Sequence, residues 1–288
     1  MIDLHLGDNL SILPGFADQS FDLIYIDPPF NTQRVQKRTT LRTVRDDVGT
    51  GDRTGFGGRR YTTEQLGSRA FVDRFDDFPA FLEPRLIEAR RLLTPTGSLF
   101  VHLDSREVHY IKVMLDQMFG RASFINEIIW AYDYGGRSKT RWAAKHDTIL
   151  WYARNPECYT FEQDAIDRIP YLAPGLVTPE KAARGKRPTD VWWHTIVATA
   201  GRERTGYPTQ KPLGIIRRIV NVHSRPGDQL LDFFAGSGTF GEAAVTATGG
   251  ARHVTLIDIL PEAVEVMEKR LEPYASKHGL RRHGMVDA

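Results

Sequence analysis

Cysteine and long apolar runs are the scarcest features of this sequence. Cys158 is the single cysteine in a chain of 288 residues, which excludes a disulfide framework and suits a reducing cytoplasm. The spacing of His, Cys, Asp and Glu residues matches no metal site, and we predict that Cys158 is a buried or indifferent thiol. No run approaches the roughly 18 apolar residues of a membrane span, and the first residues lack the basic-then-apolar pattern of a secretory signal. We therefore expect a cytoplasmic protein with no membrane partner.

Positive charge is missing from residues 1–30 and concentrated in the stretch that follows. The net charge is only +2, yet residues 31–60 carry the basic side chains Arg34, Lys37, Arg38, Arg42, Arg45, Arg53, Arg59 and Arg60. This stretch is rich in glycine and lacks hydrophobic periodicity, so we predict a mobile basic loop over residues 31–75. A second basic loop, at residues 135–145, interleaves Trp142 with Arg137, Lys139 and Arg141. Both loops are candidates for phosphate contact, and ordinary solvated surface is the alternative.

A short proline motif follows the apolar run at residues 21–26, which reads as a buried strand. Its sequence is Asp27-Pro28-Pro29-Phe30, and the carboxyl ends of strands are where open α/β sheets bind ligands. The two prolines fix the backbone and remove two amide donors. The Asp27 carboxylate and the Pro28 carbonyl can therefore accept hydrogen bonds from an NH₂ group, while Phe30 stacks on a flat ring. The pattern indicates a site for an aromatic amine.

A glycine turn lies between a second predicted strand, at residues 229–234, and a helix. Gly236, Gly238 and Gly241 match the dinucleotide-binding pattern, with Asp258 as the acid about 20 residues later. Only 50 residues follow Gly238 in the 288-residue chain, too few to complete a sheet. The nucleoside-binding half is therefore C-terminal and the proline motif is N-terminal, whereas an NAD-linked oxidoreductase normally begins with its glycine turn.

Four motifs in this order resemble those of the β-class amino-group DNA methyltransferases, and together they cover nearly the whole chain. They are the segments at residues 6–13 and 20–31, the segment Tyr207-Pro208-Thr209-Gln210-Lys211-Pro212-Leu213, and the turn Asp232-Phe233-Phe234-Ala235-Gly236-Ser237-Gly238. Two positions depart from the family pattern: Phe233 stands where proline is frequent, and Phe240 where threonine is common. Neither change affects the proposed acceptors.

The resemblance implies an α/β fold with a circularly permuted, Rossmann-like methyltransferase sheet, helices on both faces and a small target-recognition insertion. Residues 1–154 would form the catalytic half, residues 155–206 the target-recognition region, and residues 207–288 the half that binds S-adenosylmethionine (AdoMet). Periodicity predicts strands at 2–6 and 98–103 and helices at 78–93, 107–119 and 215–222. It also predicts strands at 124–130 and 148–152 that pair as a hairpin, and a polar tail after Leu271 that frays.

The activity that the resemblance implies is site-specific transfer of a methyl group from AdoMet to the N6 amine of adenine in duplex DNA. The target base would be flipped out of the helix, and transfer would be direct, without a metal. The implied catalytic residues are Asp27, Pro28, Pro29 and Phe30. Asp27 and the Pro28 carbonyl would stabilise the positive charge that develops on the amine.

The cofactor site implied by the resemblance surrounds the glycine turn. Asp258 would accept from the ribose hydroxyls, Asp8 would lie near the adenine ring, and Thr209 and Lys211 would hold the methionine end. The full set of cofactor residues is Asp8, Thr209, Lys211, Asp232, Phe234, Ala235, Gly236, Ser237, Gly238, Thr239 and Asp258. The DNA-binding candidates are Arg34, Lys37, Arg38, Arg42, Arg137, Lys139 and Arg141. Duplex DNA, a homodimer and a cognate restriction endonuclease are the expected partners, in a nucleoid-associated enzyme.

Several alternatives stay open at this point. Methylation of cytosine at N4 uses the same chemistry, although those enzymes more often carry Ser-Pro-Pro-Tyr. Methyltransferases acting on RNA or on protein glutamine usually carry Asn-Pro-Pro-Tyr after the glycine motif, the reverse of the order here. A non-catalytic DNA-binding module is disfavoured because the acceptor and glycine motifs are intact. Trp192 and Trp193 could stack on bases or anchor a small core, and His102 and His109 are predicted to be structural.

Overall fold

The computed structural model describes residues 1–31, 75–198 and 201–284, together with the backbone of strands at 34–45, 53–54 and 60–73. The chain divides into two compact units. Unit 1 comprises Met1–Phe30 and Asp77–Ala288, and unit 2 comprises Asn31–Asp76. Each unit is built around its own sheet.

Unit 1 contains a nine-stranded sheet. Its strands are β1 (Ile2–Leu6), β2 (Phe21–Ile26), β6 (Leu93–Leu103), β7 (Phe124–Ala131), β8 (His146–Ala153), β9 (Val191–Trp193), β10 (Gln229–Asp232), β11 (His253–Asp258) and β12 (Leu280–His283). They are ordered β12-β1-β11-β10-β2-β6-β8-β7-β9. Only the pairings of β8 with β6 and β7 are antiparallel, so β8 alone runs against the other strands of this sheet.

The helices of unit 1 cover both faces of the sheet, as predicted. They are α1 (Asn9–Ile12), α2 (Phe78–Leu92), α3 (Val108–Phe119), α4 (Pro179–Arg184), α5 (Leu213–His223), α6 (Thr239–Val245) and α7 (Pro261–His278). Successive residues of a strand point to opposite faces, and Leu23 and Tyr25 belong to the core beneath α5, α6 and α7. Ile24 and Ile26, on the other face of β2, are also fully buried, because α2 and α3 pack on that side.

Local signals explain where the helices begin and end. Asp77 caps α2 by accepting a hydrogen bond from the Ala80 amide at 2.9 Å. Gly120, with φ of 87°, ends α3. The predicted helices therefore agree with the structure to within one or two residues, and the predicted hairpin is the β7–β8 pair.

The polar C-terminal tail is more ordered than the sequence suggested. Helix α7 continues to His278, and β12 then pairs in parallel with β1 at the edge of the sheet. The prediction that the chain frays after Leu271 is therefore wrong for the residues up to 284. Strand β12 is mostly exposed, and a polar edge strand carries no hydrophobic signal in its sequence.

Unit 2 contains strands where the sequence predicted a basic loop. β3 (Arg34–Arg45), β4 (Arg53–Thr54) and β5 (Arg60–Asp73) form an antiparallel sheet in the order β3-β5-β4. The expectation of an irregular loop is corrected here, because a segment rich in threonine and valine can pair as strands without an apolar period. Arg34, Lys37, Arg38 and Arg42 all belong to β3, and their side chains lie outside the described part of the structure.

The predicted target-recognition region, residues 155–206, contributes α4 and β9, and β9 extends the sheet by pairing in parallel with β7. Trp192 is 7% exposed, and its indole donates to the Thr189 carbonyl at 2.7 Å. Trp193 is 62% exposed. Trp192 therefore anchors a small core, one of the two predicted roles, and base stacking by the exposed Trp193 stays a prediction. Among the described helices, none is long and apolar enough to cross a membrane.

Candidate active site

The two sequence motifs meet at one edge of the sheet. β10 pairs with β2 in parallel, with Leu230 opposite Leu23 and Leu231 opposite Ile24. The residues that follow the two strands, including Asp27, therefore lie side by side at the carboxyl edge. This is the ligand-binding edge of an open α/β sheet.

A buried ion pair lies at the centre of this edge. Lys211 Nζ is 2.7 Å from Oδ1 and 2.5 Å from Oδ2 of Asp27, and the two side chains are 8% and 17% exposed. The same ammonium group lies 4.5 Å from the centroid of the Phe30 ring. A nitrogen donor that contacts this carboxylate and lies over this ring occupies the kind of position expected for the amine of a bound base. Pro28 and Pro29 lie between Asp27 and Phe30, and neither proline has an amide donor. Pro28 is buried.

Phe30 is supported by a buried polar network that sequence reasoning missed. Its ring lies 6.0 Å from the ring of His102, which is fully buried. His102 Nδ1 is 2.9 Å from Tyr25 Oη, and its Nε2 is 3.3 Å from Asp147 Oδ2. Tyr132 donates to the other Asp147 oxygen at 3.2 Å. Burial opposes ionisation of Asp147, but the hydrogen bond and electrostatic interaction with His102, the charge of Lys211 and the Tyr132 hydrogen bond together outweigh it, so the pKa of Asp147 is lowered.

His102 is a hydrogen-bonded structural histidine, as predicted, and no metal-binding cluster occurs among the described residues. The sequence carried one indication of the network, because Tyr25 of β2 lies two positions before Asp27. The partner of Tyr25, His102, lies in β6, and the partner of His102, Asp147, lies in β8, so local sequence could not reveal the network.

The glycine turn requires glycine at position 238. Gly236 and Gly238 have φ values of 49° and 71°, and a Cβ on Gly238 would lie 2.9 Å from Met267 Cγ. Asp258 stabilises the turn, because its Oδ2 accepts from the Gly236 amide at 2.8 Å and its Oδ1 from the Leu260 amide at 3.0 Å. The Phe234 amide donates to Asp232 at 3.0 Å in the same way. Ala235 lies between them and donates to the Ile257 carbonyl.

The turn is strongly acidic. Burial raises the pKa of Asp232 well above its ordinary value, and the charges of Asp27 and Asp258 raise it further against the opposing hydrogen bond from Phe234. Burial also raises the pKa of Asp258, despite the backbone amides that it accepts. The Asp27 carboxylate is paired with the Lys211 ammonium, and a positively charged ligand beside Asp232 and Asp258 would favour the ionised form of both carboxyl groups.

Ser237 and Thr239 use their hydroxyls within the fold. Arg270 donates to Thr239 Oγ1 at 2.8 Å and approaches Ser237 Oγ at 3.3 Å. Thr239 in turn donates to the Lys211 carbonyl at 3.2 Å. These contacts tie the glycine turn to the segment that carries Lys211.

Asp8 lies at the same edge, two residues after β1. It caps α1 and accepts from Arg85 at 3.2 Å. Arg85 also donates to Asn9 at 2.7 Å, and Asn9 donates to the Phe233 carbonyl at 2.8 Å. Arg85 and Asn9, neither of them identified from the sequence, therefore connect Asp8 to the strand that leads into the glycine turn.

The segment before α5 positions Lys211 and Thr209. Gln210 accepts from the amide of Thr205 at 2.8 Å and donates to the Glu203 carbonyl at 2.6 Å. Thr209 is exposed and has φ of 59°, a left-handed conformation that is unusual for a β-branched residue. Such strain persists only where neighbouring contacts hold the backbone in place.

The second basic loop lies at the carboxyl ends of the parallel strands, and Cys158 lies at their amino ends. Arg137, Lys139 and Arg141 are exposed in the loop that follows β7, at the edge that holds Asp27. Cys158 follows β8, which runs the other way, so it lies at the far edge. The thiol is exposed rather than buried, and its position leaves it without access to the acceptor pair.

The two departures from the family pattern both fill the core. Phe240 stacks on Tyr25 with ring centroids 5.6 Å apart, and Phe233 lies 5.4 Å from Phe234. Both residues are 1% exposed. They therefore pack beneath β2 and the glycine turn rather than face a ligand.

Comparison with known proteins identifies the family of this chain. The family model described as DNA methylase, which covers N6 and N4 enzymes, matches residues 21–269. The Type II methyltransferase M.HpaI of Haemophilus parainfluenzae is 28% identical over 91% of this chain and 72% of its own. The DNA adenine methyltransferase YhdJ of Escherichia coli strain K12 is 26% identical over 92% of this chain and 81% of its own.

Solved structures show the same fold. The M1.HpyAVI–SAM complex has a TM-score of 0.60 at 20% identity, covering 94% of this chain and 99% of that protein. The cytosine-N4-specific PvuII DNA methyltransferase has a TM-score of 0.64 at 15% identity, covering 93% and 85%. These relatives include both adenine and N4-cytosine enzymes.

The family match and the fold define an AdoMet-dependent methyltransferase that acts on an amino group in DNA. The family match spans most of the chain, and the protein belongs to the DNA methylase family.

Proposed function

We propose that this protein is a site-specific adenine-N6 DNA methyltransferase. The observation that carries the proposal is the Asp27 carboxylate beside the Phe30 ring, where the Lys211 nitrogen already makes the contacts expected of an amine. An acidic first residue in the proline motif favours adenine, and the relative YhdJ is named an adenine enzyme. N4-cytosine methylation is the second candidate, because the PvuII enzyme shares the fold.

The acceptor pair would make the target amine a better nucleophile. The lone pair of an exocyclic amine is delocalised into the ring, so the amine attacks poorly. Hydrogen bonds to Asp27 and to the Pro28 carbonyl favour a pyramidal nitrogen and stabilise the positive charge that develops during attack. Phe30 stacks on the flipped base and fixes its plane. The surplus proton of the methylated amine leaves towards Asp27 or solvent.

The residues around the glycine turn fit AdoMet. When bound, AdoMet supplies a methyl group on a positively charged sulfonium, and the acidic surroundings of Asp232 and Asp258 match that charge. Gly236 and Gly238 allow close backbone approach, and Asp8 and Asp258 offer acceptors for the nucleoside. Thr209 remains a candidate for the methionine end. Lys211 is better placed to hold Asp27, because its ammonium already donates to both carboxylate oxygens.

Duplex DNA would bind across the carboxyl edge. Residues 155–206 are the proposed target-recognition region, and Arg137, Lys139 and Arg141 are proposed phosphate contacts. The side chains of Arg34, Lys37, Arg38 and Arg42 remain candidates on sequence grounds alone. A homodimer, a cognate restriction endonuclease and association with the nucleoid are further proposals that the family resemblance supports.

Digestion of modified DNA should identify the methylated base. Incubation with mixed-sequence duplex and AdoMet, followed by nucleoside mass spectrometry, is expected to yield N6-methyladenine. N4-methylcytosine would preserve the mechanism and overturn the base assignment. C5-methylcytosine would contradict the mechanism, because that reaction needs a cysteine nucleophile and Cys158 lies at the opposite edge of the sheet.

Replacing Asp232 by asparagine should stabilise the free protein and weaken AdoMet binding. Folding raises the pKa of Asp232, so ionising this group favours the unfolded state. The free energy of unfolding therefore falls as pH rises from the ordinary pKa of an aspartate towards the raised one. Asparagine keeps an acceptor for the Phe234 amide and removes this cost, so Tm should rise by about 2–4 °C per kcal/mol gained. The gain should be larger at pH 8 than at pH 4. AdoMet affinity should fall about tenfold, or about 1.4 kcal/mol, by calorimetry; unchanged affinity would contradict the charge argument.

A further inference from the structure

The loop at residues 132–145 rises from the same edge of the sheet as the acceptor pair. β7 runs parallel to β2, so its carboxyl end lies at the edge that holds Asp27, and the antiparallel β8 begins at that edge. The loop borders an open cleft of about 700 Å³, lined by Tyr134, Arg137, Lys145 and neighbouring residues. It therefore stands out from the sheet beside the proposed DNA-binding face.

Trp142 is displayed by this loop. It is 98% exposed, more than Trp193, the other exposed tryptophan of the described chain, at 62%. The Ser138 hydroxyl accepts from the amides of Thr140 and Arg141 at 3.3 and 3.1 Å, which folds the backbone just before Trp142. Burying a ring of this size against a partner would remove a large apolar area from water.

The charges around Trp142 indicate what that partner is. Arg137, Lys139 and Arg141 are exposed and Lys145 is half-buried, whereas the loop contains the single acid Asp133. Cations spaced around a projecting aromatic ring complement phosphates that flank stacked bases. A protein partner with an acidic surface would match the cations but would offer no stack for the ring to enter.

We propose that Trp142 inserts into the DNA base stack at the place that the target base leaves. The inference rests on the proposed function, in which the target base is flipped towards Asp27 and Phe30. Flipping costs the stacking and pairing of that base, and an inserted indole replaces part of the lost stacking. The cations of the loop would hold the adjacent phosphates while the ring enters.

The test compares a paired target with a mismatched one, because a mismatched base is already easier to flip. The substrates are duplexes that contain the site mapped as methylated by the wild-type enzyme. Trp142→Ala should slow single-turnover methylation of the paired target by about tenfold or more, and that of the mismatched target by about threefold or less. Trp142→Phe should retain most of the wild-type rate. With 2-aminopurine at the target, Trp142→Ala should also show a smaller fluorescence increase on binding.

Two controls separate insertion from other effects. Tyr110→Ala removes an aromatic residue that is 67% exposed on α3 and should leave both rates unchanged. The triple variant Arg137→Gln, Lys139→Gln, Arg141→Gln should weaken binding of both duplexes equally and flatten the salt dependence.

Equal slowing of both duplexes by Trp142→Ala, or no slowing of either, would overturn the insertion role even with the enzyme active. If the wild-type protein transfers no methyl group to DNA, the proposed function fails and this inference fails with it. The two failures are therefore distinguishable in the same assay.

Discussion

Replacing Asp27 by alanine is expected to slow methyl transfer by about 10²–10³-fold, the cost of removing one group that stabilises transition-state charge. AdoMet affinity should stay nearly unchanged, because the glycine turn is held by Asp258 and Asp232 rather than by Asp27. Single-turnover methylation with radiolabelled AdoMet gives the rate, and calorimetry gives the affinity. A near wild-type rate would contradict the mechanism.

A second aspartate, near the opposite end of β2 from Asp27, provides the matched control. Asp22, at the other end of β2, accepts from the Thr94 hydroxyl at 3.1 Å and from the Gln229 amide at 2.9 Å. Asp22→Ala should therefore lower the free energy of unfolding by about 1 kcal/mol for each lost hydrogen bond. The methylation rate should stay within about threefold of wild type, because Asp22 lies at the end of β2 away from Asp27. Equal losses of rate in the two variants would mean that damage to the strand, and not loss of the acceptor, explains both.

The sequence predicted the parts of this site that depend on neighbouring residues. A buried strand followed by two prolines determines where Asp27 and the Pro28 carbonyl lie, and glycines with positive φ mark the turn at Gly236 and Gly238. The count of residues after the turn placed the nucleoside-binding half at the C-terminus, and β10 does lie beside β2. The sequence thus indicated the order of the two halves along the chain, whereas the pairing of β10 with β2 is known from the structure.

Contacts between distant segments could not be predicted in the same way. Lys211 and Asp27 are 184 residues apart, and the sequence favoured a cofactor role for the lysine. His102 and Tyr25 are 77 residues apart and meet only because β6 pairs with β2. Such contacts depend on register across the sheet, which alternating apolar residues do not specify between two strands buried on both faces.

The segments that were misjudged are polar strands. β3 and β5 pair from Arg34 with Asp73 to Arg45 with Tyr61, and β12 pairs with β1 from Ile2 with Leu280. Both cases lack the apolar alternation that identifies a half-buried strand. Backbone pairing needs no apolar side chains where a partner strand is already in place, so charge and glycine content alone overestimated irregular structure.

Replacing Lys211 by methionine is expected to lower the rate of methyl transfer more than tenfold and to leave AdoMet affinity within about threefold of wild type. The ammonium holds both oxygens of Asp27 in one orientation, and a carboxylate has about four lone-pair positions, so acceptor capacity remains for the target amine. Without Lys211 the carboxylate loses both its orientation and its buried counter-charge. Breaking a buried pair from one side costs about 3–5 kcal/mol, so the free energy of unfolding should also fall.

Stability and catalysis can be separated with two further variants. The double variant Asp27→Asn, Lys211→Met removes both charges and should recover most of the lost stability while it stays inactive. Lys112→Met breaks a second lysine–aspartate pair, on α3, in which Lys112 Nζ lies 2.7 Å from Asp116 Oδ2. This variant should leave the methylation rate unchanged because the pair lies outside the site. A rise in the AdoMet dissociation constant of tenfold or more in Lys211→Met, with the rate at saturation preserved, would instead assign Lys211 to the methionine end of the cofactor. The geometry favours the first outcome, since the Lys211 nitrogen already lies within 2.7 Å of both oxygens of Asp27.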